Sequence, residues 1–239
     1  METDKVLNWE IDQELHAQFL IECELPSDSW RRSDAITTVI ENPAISRADH
    51  IYQNIKTKYP YLIPYFGRFY TSDLYGNPVT KEFEGVQLSA TTLRYIETAG
   101  MIQDMIGVKE PARIVEIGGG YGGQCKILHD IYEIEKYTIY DIPSVSHLQK
   151  VFLSLCNLYG VDLKNEVTGS GNYDLCISWC GWSELSRDLK ELYCREVIAS
   201  ADHIFIASNF NPKEDEEILS EYFDLKKEVN ENGRGIYYA

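Results

Sequence analysis

The nine residues Val115–Gly123, VEIGGGYGG, carry the strongest structural signal in this 239-residue chain. The apolar run Ile114–Ile117 leads into the glycines as a short buried strand, and Cys125–Tyr132 follows them as a helix. Glycine permits positive φ and lets a ligand approach the backbone closely. The helix N-terminus beside it presents free N–H groups. The stretch therefore predicts a glycine-rich, ligand-binding turn at the carboxyl edge of a parallel sheet.

Short β-type runs and helical patterns alternate through the rest of this half of the chain. The predicted strands are Ile114–Ile117, Tyr137–Tyr140, Glu166–Thr168, Leu175–Trp179 and Ile204–Ala207. The predicted helices are Cys125–Tyr132, Val145–Leu158, Ser186–Ala199 and Glu214–Phe223, and Leu225–Val229 with Ile236–Tyr238 form a closing hairpin. This alternation indicates an α/β fold with a mostly parallel, doubly wound sheet that ends in an antiparallel hairpin.

The first 108 residues have a different texture. Helices are predicted over Lys5–Glu24, over Ser33–Tyr59 as one or two segments, and from a Ser89 N-cap to Ile106. Tyr59–Pro78, rich in Tyr, Pro and Gly, is typical of turns and irregular structure. We therefore expect an N-terminal helical, aromatic cap over residues 1–108 and a ligand-binding sheet domain over residues 109–239.

Composition excludes several classes of function. The chain has 22 Lys and Arg against 38 Asp and Glu, a formal net charge of −16, which disfavours general nucleic-acid binding and docking on anionic membranes. There is no apolar signal-peptide core near the N-terminus, and no run approaches the roughly 20 apolar residues of a membrane span. The six cysteines lack zinc spacing, so we expect a reducing, cytoplasmic protein without a dedicated metal site. The sequence leaves the oligomeric state open, including a homo-oligomer.

Two ligand classes fit the glycine-rich turn. Gly118-x-Gly120-x-x-Gly123 matches a dinucleotide fingerprint, with Asp141 placed to bind a ribose. The same turn, read as an acid at Glu116 followed by alternating glycines, matches the pattern of S-adenosylmethionine enzymes. The Glu116 charge would repel a pyrophosphate, and the C-terminal hairpin belongs with the second class. A turn without a ligand and a helix-capping role for Asp141 are the structural alternatives.

Four segments together resemble the sugar O-methyltransferases, a class I S-adenosylmethionine-dependent family of bacterial surface-glycan and antibiotic-sugar pathways. They are VEIGGGYGG, Tyr140–Pro143 (YDIP), Trp182–Leu185 (WSEL) and, less specifically, Thr92–Tyr95 (TLRY), and the similarity spans residues 65–210. The resemblance implies a Rossmann-like class I methyltransferase sheet with N-terminal helices over the cofactor. After the third strand the chain lacks the acid that many such enzymes place at the adenine.

The resemblance also implies a set of cofactor contacts. Glu116, Gly118, Gly120 and Tyr121 would line the methionine part of S-adenosylmethionine, and Asp141, with Ile142 beside it, would bind the ribose. Arg94 could pair with the cofactor carboxylate, a bidentate role suited to Arg; a salt bridge on the helix surface is its alternative.

Candidate catalytic and substrate-binding residues follow from the predicted strand ends. Glu184 is the candidate base that removes the acceptor proton, with Trp182 beside it to raise its pKa; an acid in the first turn of a helix is the alternative. Arg68 and Tyr70 could hold a phosphate and stack on a sugar, although their aromatic stretch also fits a hydrophobic seam. Trp182 and Asn209 are further candidates for substrate binding; Asn209 could bind acceptor hydroxyls or form a turn.

These features lead to one expected function with alternatives. We expect an S-adenosylmethionine-dependent O-methyltransferase acting on a sugar or sugar-linked intermediate of bacterial surface-glycan (capsule) biosynthesis, with a small glycan or sugar-phosphate as acceptor. Methyl transfer to a phosphate or phosphoramidate oxygen of a capsule precursor keeps the cofactor and changes the acceptor. An NAD-dependent oxidoreductase and a non-catalytic cofactor-binding subunit are the alternatives from other classes.

Overall fold

A computed structural model describes residues 13–40, 43–108, 110–169, 171–209, 211–230 and 234–239. Its helices are α1 Gln13–Glu24, α2 Asp34–Val39, α3 Ala48–Lys58, α4 Phe66–Phe69, α5 Ala90–Ile106, α6 Gly123–Ile131, α7 Pro143–Leu155, α8 Arg187–Glu196 and α9 Pro212–Ser220. Its strands are β1 Thr80–Phe83, β2 Val86–Ser89, β3 Arg113–Ile117, β4 Lys136–Tyr140, β5 Asp162–Lys164, β6 Tyr173–Trp179, β7 Ala201–Ser208, β8 Lys226–Val229 and β9 Gly235–Tyr238.

Seven of these strands form one sheet in the order β5-β4-β3-β6-β7-β9-β8. Strands β3 to β7 pair in parallel, and β9 runs antiparallel to both β7 and β8. From β3 the chain adds β4 and β5 on one side of the sheet and then β6 and β7 on the other. The direction in which strands are added therefore reverses between β3 and β6. This arrangement confirms the α/β, doubly wound fold and its C-terminal hairpin, and it opens a crevice at the carboxyl ends of β3 and β6.

Alternating side chains of the strands bury both faces of the sheet. Ile114 and Leu175 belong to a cluster shared with α5, α6, α7 and the N-terminal helices. Val115 and Cys176, one residue further along, point to the opposite face and pack in a second cluster with residues of α8 and α9. Burying both faces fixes the register of each parallel strand, because a slip of one residue would exchange the two sets.

Helix α5 joins the N-terminal region to the sheet. Ser89 caps it by accepting the Thr92 N–H at 3.1 Å, and Gly107 ends it in the left-handed conformation. These ends confirm the helix predicted from Ser89 to Ile106. A buried ion pair braces its start, since Arg31 lies 2.8 Å from Asp73 and both side chains are almost fully buried.

Two features differ from the sequence-based expectations. The third strand is Asp162–Lys164, paired with β4, and not Glu166–Thr168. A three-residue edge strand is too short to give a sequence pattern, and its position follows from its pairing with β4. The hairpin β1–β2 was not predicted. The stretch 33–59 contains two separate helices, α2 and α3, in agreement with the predicted one or two segments. The first part of the predicted helix Lys5–Glu24 lies outside the described residues.

The N-terminal region packs directly on the sheet domain. One hydrophobic cluster contains Phe19 and Ile36 from the N-terminal helices together with Ile114 and Leu175 from the sheet. The division at residue 108 remains a prediction.

No helix among the described residues is both long enough and apolar enough to span a lipid bilayer.

Candidate active site

The glycine-rich turn follows β3 and uses left-handed backbone at three glycines. Gly118, Gly120 and Gly122 have φ values of 74°, 54° and 93°. A Cβ added to Gly118 would lie 2.7 Å from the Cα of Gly181, in the loop after β6. The loops that leave β3 and β6 therefore touch through two glycines, at the point where the strand order reverses.

Asp141 ends β4 beside this turn. Its carboxylate accepts the Ile142 N–H and the Gln149 side-chain amide, both at 2.9 Å, and the same Gln149 amide reaches the Gly120 carbonyl at 2.9 Å. Burial raises the pKa of Asp141 to about 7, against the lowering effect of these hydrogen bonds. The N-cap residue of α7 is Ile142, and no side chain caps this helix. Asp141 is therefore not the N-cap, which contradicts the alternative role considered for it.

Gln149 is a site residue that the sequence analysis missed. It is fully buried on α7 and ties the carboxylate of Asp141 to the glycine turn. Its side-chain oxygen is buried without a hydrogen-bond partner. The signal in the sequence was a glutamine at a helix position flanked by the apolar residues Leu148, Phe152 and Leu153 of the buried face.

Glu116 lies underneath the glycine turn and not at its surface. It is 3% exposed, and the Tyr137 hydroxyl donates a hydrogen bond to it at 2.7 Å. Burial raises the pKa of Glu116 to about 7, although this hydrogen bond opposes the shift. A Cβ on Gly119 would come within 3.4 Å of its carboxyl carbon, so the acid supports the turn from below.

The N-terminal region covers the turn from the other side. A methyl group of Ile40 lies 3.0 Å from the position that a Cβ of Gly120 would take. Tyr121 is fully buried, with its ring 5.1 Å from that of Trp30 and 4.8 Å from that of Phe152. This corrects the expectation that Tyr121 lines the methionine part of a cofactor, because its side chain has no surface left for a ligand. Tyr121 instead anchors the N-terminal region to the turn.

Glu184 is half-buried at the carboxyl edge of the sheet. It closes a short 3-10 turn, Trp182–Glu184, and α8 begins only at Arg187, so it is not an acid of the first turn of that helix. Its charge contributes to raising the pKa of Asp141, which places the two carboxylates at the same edge. Asn209, at the end of β7, accepts the Ser183 hydroxyl at 2.6 Å and lies beside the same loop.

Trp182 does not face this edge. Its ring is fully buried in the cluster on the α8–α9 face, with the Lys190 ammonium 5.7 Å from the ring centre. This corrects its expected substrate contact, whereas its expected effect on the pKa of Glu184 stays a prediction. Cys180, two residues earlier, has a left-handed backbone with φ of 74° and a thiol whose pKa burial raises to about 11. The thiol is protonated at neutral pH and is not an activated nucleophile.

Arg68 and Tyr70 lie away from the site. Arg68 donates a hydrogen bond to the Asp130 carbonyl at 3.2 Å, near the end of α6. Because α6 starts at the glycine turn and rises about 1.5 Å per residue, its end lies about 10 Å away, toward the opposite edge of the sheet. Tyr70 lines a separate hollow against the β1–β2 hairpin. The structure therefore corrects the substrate-binding expectation for both residues.

A cavity of about 220 Å³ opens between the N-terminal helices and the sheet, beside the carboxyl end of β6. Helices α3 and α5 form one wall, and Trp179 with the β8–β9 hairpin forms the other. Its described lining residues are Pro43, Arg47, Ile51, Asn54, Lys58, Tyr59, Arg94, Glu97, Met101, Met105, Trp179, Glu228, Val229, Asn230, Arg234 and Ile236. Of the predicted site residues, Arg94 lies here. No group of three or more His, Cys, Asp or Glu side chains among the described residues could hold a metal ion.

No protein-family model matches the chain, and no curated protein matches it. Solved structures of similar fold include a ribosomal protein L11 methylase from Lactobacillus delbrueckii subsp. bulgaricus, with 15% identity over 62% of this chain and 79% of that chain, at a TM-score of 0.49. A SAM-dependent methyltransferase from Aquifex aeolicus has 18% identity over 57% of this chain and 86% of that chain, at 0.46.

The mitomycin 7-O-methyltransferase covers more of the chain. It has 14% identity over 92% of this chain and 74% of that chain, at a TM-score of 0.47. Sequence identities and TM-scores this low do not establish an activity for the chain. The strand order, with antiparallel β9 between β7 and β8, is the class I methyltransferase form of a Rossmann-like sheet.

Proposed function

We propose that the chain is an S-adenosylmethionine-dependent O-methyltransferase. One observation carries this proposal: the Gly118 turn meets Gly181 at the reversal of strand order, with the Asp141 carboxylate beside it at the end of the next strand. Open α/β sheets bind their ligands at this place. The glycines let a ligand lie against the backbone, and the carboxylate can accept both hydroxyls of a ribose.

The charges around the turn favour this cofactor over a dinucleotide. Asp141 and Glu184 lie close enough for each other's charge to matter, and Glu116 is buried under the turn. Acidic side chains suit a cationic sulfonium and oppose a pyrophosphate. S-adenosylmethionine, when bound, supplies a methyl group on a positively charged sulfur.

Different residues of the chain would bind different parts of S-adenosylmethionine. The backbone of Gly118 and Gly120 would receive the methionine part, with Glu116 holding the turn from below, and Asp141 would bind the ribose while Gln149 fixes its orientation. Arg94, on α5, remains our candidate for the cofactor carboxylate. Tyr121 supports the turn through its aromatic contacts and makes no direct contact with the cofactor.

Glu184 is the proposed base. It lies in the loop after β6 and its charge affects the pKa of Asp141, so in our proposal an acceptor hydroxyl would meet both this carboxylate and the cofactor there. The carboxylate would accept the hydroxyl proton as the oxygen attacks the methyl group. The protein would also increase the rate by holding the acceptor oxygen in line with the methyl group and the sulfur of the cofactor. The cavity offers an indole face and the amides of Asn54 and Asn230, which suit the apolar face and the hydroxyls of a sugar-linked acceptor.

Calorimetric titration of S-adenosylhomocysteine and of NAD tests this proposal. We expect S-adenosylhomocysteine to bind and NAD not to bind. Asp141→Asn should weaken S-adenosylhomocysteine at least tenfold, because a charged hydrogen bond contributes about 1.5–3 kcal/mol. Asp188→Asn, an exposed acid at the start of α8, is the matched control and should bind as the wild type does. Binding of NAD alone would contradict the proposal, as would equal affinities in the two variants.

A further inference from the structure

The cavity beside β6 has a charge opposite to that of the protein. The whole chain has a formal net charge of −16, whereas the described residues that line the cavity include four cations and two acids. The cations are Arg47, Lys58, Arg94 and Arg234, and the acids are Glu97 and Glu228. Arg47 and Arg94 have further interactions within the protein. A surplus of cations in a concave site of an acidic protein still favours a negatively charged ligand there.

The two acids of the cavity already have partners. Glu97 accepts a hydrogen bond from the side-chain amide of Asn54 at 2.9 Å, within the wall formed by α3 and α5. Glu228, on the exposed strand β8, accepts the Tyr238 hydroxyl at 3.3 Å. Neither contact uses Arg234, which lies just before β9 on the wall formed by Trp179 and the β8–β9 hairpin.

Arg234 lies at the base of the β8–β9 hairpin and has no ion pair in the described part of the chain. Its backbone N–H donates to the Asn230 side chain and its carbonyl accepts the Asn230 N–H, both at 3.0 Å, which positions its backbone. Its guanidinium lies 6.0 Å from the centre of the Trp179 ring. No carboxylate of a described residue lies within ion-pairing distance of it. A guanidinium without a counter-charge can bind an anion through charged hydrogen bonds.

Trp179 provides an aromatic wall beside this cation. Its ring stacks on Phe205 with centroids 6.4 Å apart and planes 16° apart, so its orientation is fixed by the sheet. Its indole N–H is buried and has no hydrogen-bond partner among the described residues. A buried donor without a partner costs stability, which a bound acceptor atom would offset.

The cavity adjoins the loop that contains the proposed base. Trp179 lines the cavity, and the loop that contains Glu184 follows Trp179 directly in the chain. The charges of Arg234, Glu184 and Arg94 all affect the pKa of the Cys180 thiol, so all three lie near the end of β6.

We propose that the acceptor of this enzyme carries a negatively charged group, a carboxylate or a phosphate, which Arg234 binds while a ring of the acceptor lies against Trp179. This inference rests on the proposed methyltransferase function and specifies its acceptor class. It also transfers the anion-binding role that the sequence suggested for Arg68 to a residue at the site. A neutral sugar would leave the cation of Arg234 without a partner.

Nuclear magnetic resonance of the indole N–H groups tests the proposal at the site itself. The chain has four tryptophans, and Trp179→Phe identifies the signal of Trp179 by its disappearance. Glucose, glucuronate and glucose 6-phosphate are titrated into the full chain, with and without S-adenosylhomocysteine. We expect both anionic sugars to move the Trp179 signal and to bind at least tenfold more tightly than glucose. The tighter of the two identifies the anion as carboxylate or phosphate.

Arg234→Gln should abolish the preference for the anionic sugars while leaving S-adenosylhomocysteine affinity unchanged. Arg195→Gln, an exposed arginine on α8 whose side chain is 60% accessible, is the matched control and should keep the preference. Equal binding of glucose and the anions, a preference that survives Arg234→Gln, or failure of both anions to move the Trp179 signal would overturn the inference. Failure of S-adenosylhomocysteine binding with the anion preference intact would instead refute the proposed function alone.

Discussion

Replacing Gly118 by alanine tests whether the contact between the β3 and β6 loops builds the cofactor site. The new Cβ would lie 2.7 Å from the backbone of Gly181, and neither backbone segment can yield as a flexible side chain would. The chain supplies a closely matched control. Gly107 has the same φ of 74°, but a Cβ there meets nothing within 4 Å.

The two variants separate backbone strain from the loop contact. Left-handed backbone costs alanine about 1–2 kcal/mol, and the lower entropy of the unfolded chain offsets part of it, which leaves about 1 kcal/mol for Gly107→Ala. Gly118→Ala adds an overpacking cost of about 1–3 kcal/mol, for a total of about 2–4 kcal/mol. Since 1 kcal/mol shifts Tm by about 2–4 °C in a chain of this size, we expect decreases of about 2–4 °C and about 4–16 °C.

Thermal unfolding and calorimetry measure the two consequences. Gly107→Ala should retain wild-type affinity for S-adenosylhomocysteine, and Gly118→Ala should lose at least tenfold, because the turn must move away from the loop that contains Gly181. Melting temperatures within about 1 °C of each other, together with equal affinities, would refute the reasoning, since the clash would then have no energetic effect.

Three further predictions concern charge. Burial raises the pKa of Asp141 from its ordinary 3.8 to about 7. Between these two pH values the folded state binds more protons at Asp141 than the unfolded chain does. The free energy of unfolding therefore decreases as pH rises toward 7. Asp141→Asn should therefore raise Tm more at pH 8 than at pH 5; a uniform effect in thermal melts would contradict this. Glu184→Gln should lower kcat for methyl transfer by about 10²–10⁴ with S-adenosylhomocysteine affinity unchanged, whereas Glu191→Gln, at an exposed ion pair, should leave turnover intact. Asp73→Ala breaks a buried ion pair and should lower the free energy of unfolding by about 3–5 kcal/mol in urea titrations. Its exposed counterpart Asp49→Ala should cost less than about 1 kcal/mol, and similar losses in the two variants would contradict the assignment.

Local chemistry made much of the fold predictable. A glycine-rich turn after an apolar run is a signal contained in nine consecutive residues. Ser89 predicts the start of α5 because an N-cap hydrogen bond joins residues only three positions apart. The parallel sheet followed from the spacing of strands and helices. Asp141 was predictable as a site residue because carboxyl ends of parallel strands meet at one edge.

Residues whose role depends on distant packing were not predictable. Trp182 and Glu184 are two positions apart in one motif, yet the ring of Trp182 is buried on the far face of the sheet and Glu184 stays at the edge. Tyr121 lies inside the glycine motif but packs on Trp30, more than 90 residues earlier in the chain. Short-range patterns contain no information about which face such a side chain will take.

The acceptor cavity shows the same limit more strongly. Trp179 and Arg234 come together only because β9 returns antiparallel beside β7, which carries the hairpin to the end of β6. Arg68 looked equally suitable in sequence because it lies among aromatic residues. Its hydrogen bond near the end of α6 places it toward the other edge of the sheet. Topology, and not residue type, separates the two arginines.

A crystal structure of the complex with S-adenosylhomocysteine tests the central claim most directly. The account predicts the ribose hydroxyls within hydrogen-bond distance of the Asp141 carboxylate, the amino-acid part against Gly118 and Gly120, and the sulfur facing the cavity lined by Trp179. A ligand bound elsewhere, or one whose ribose does not contact Asp141, would contradict it.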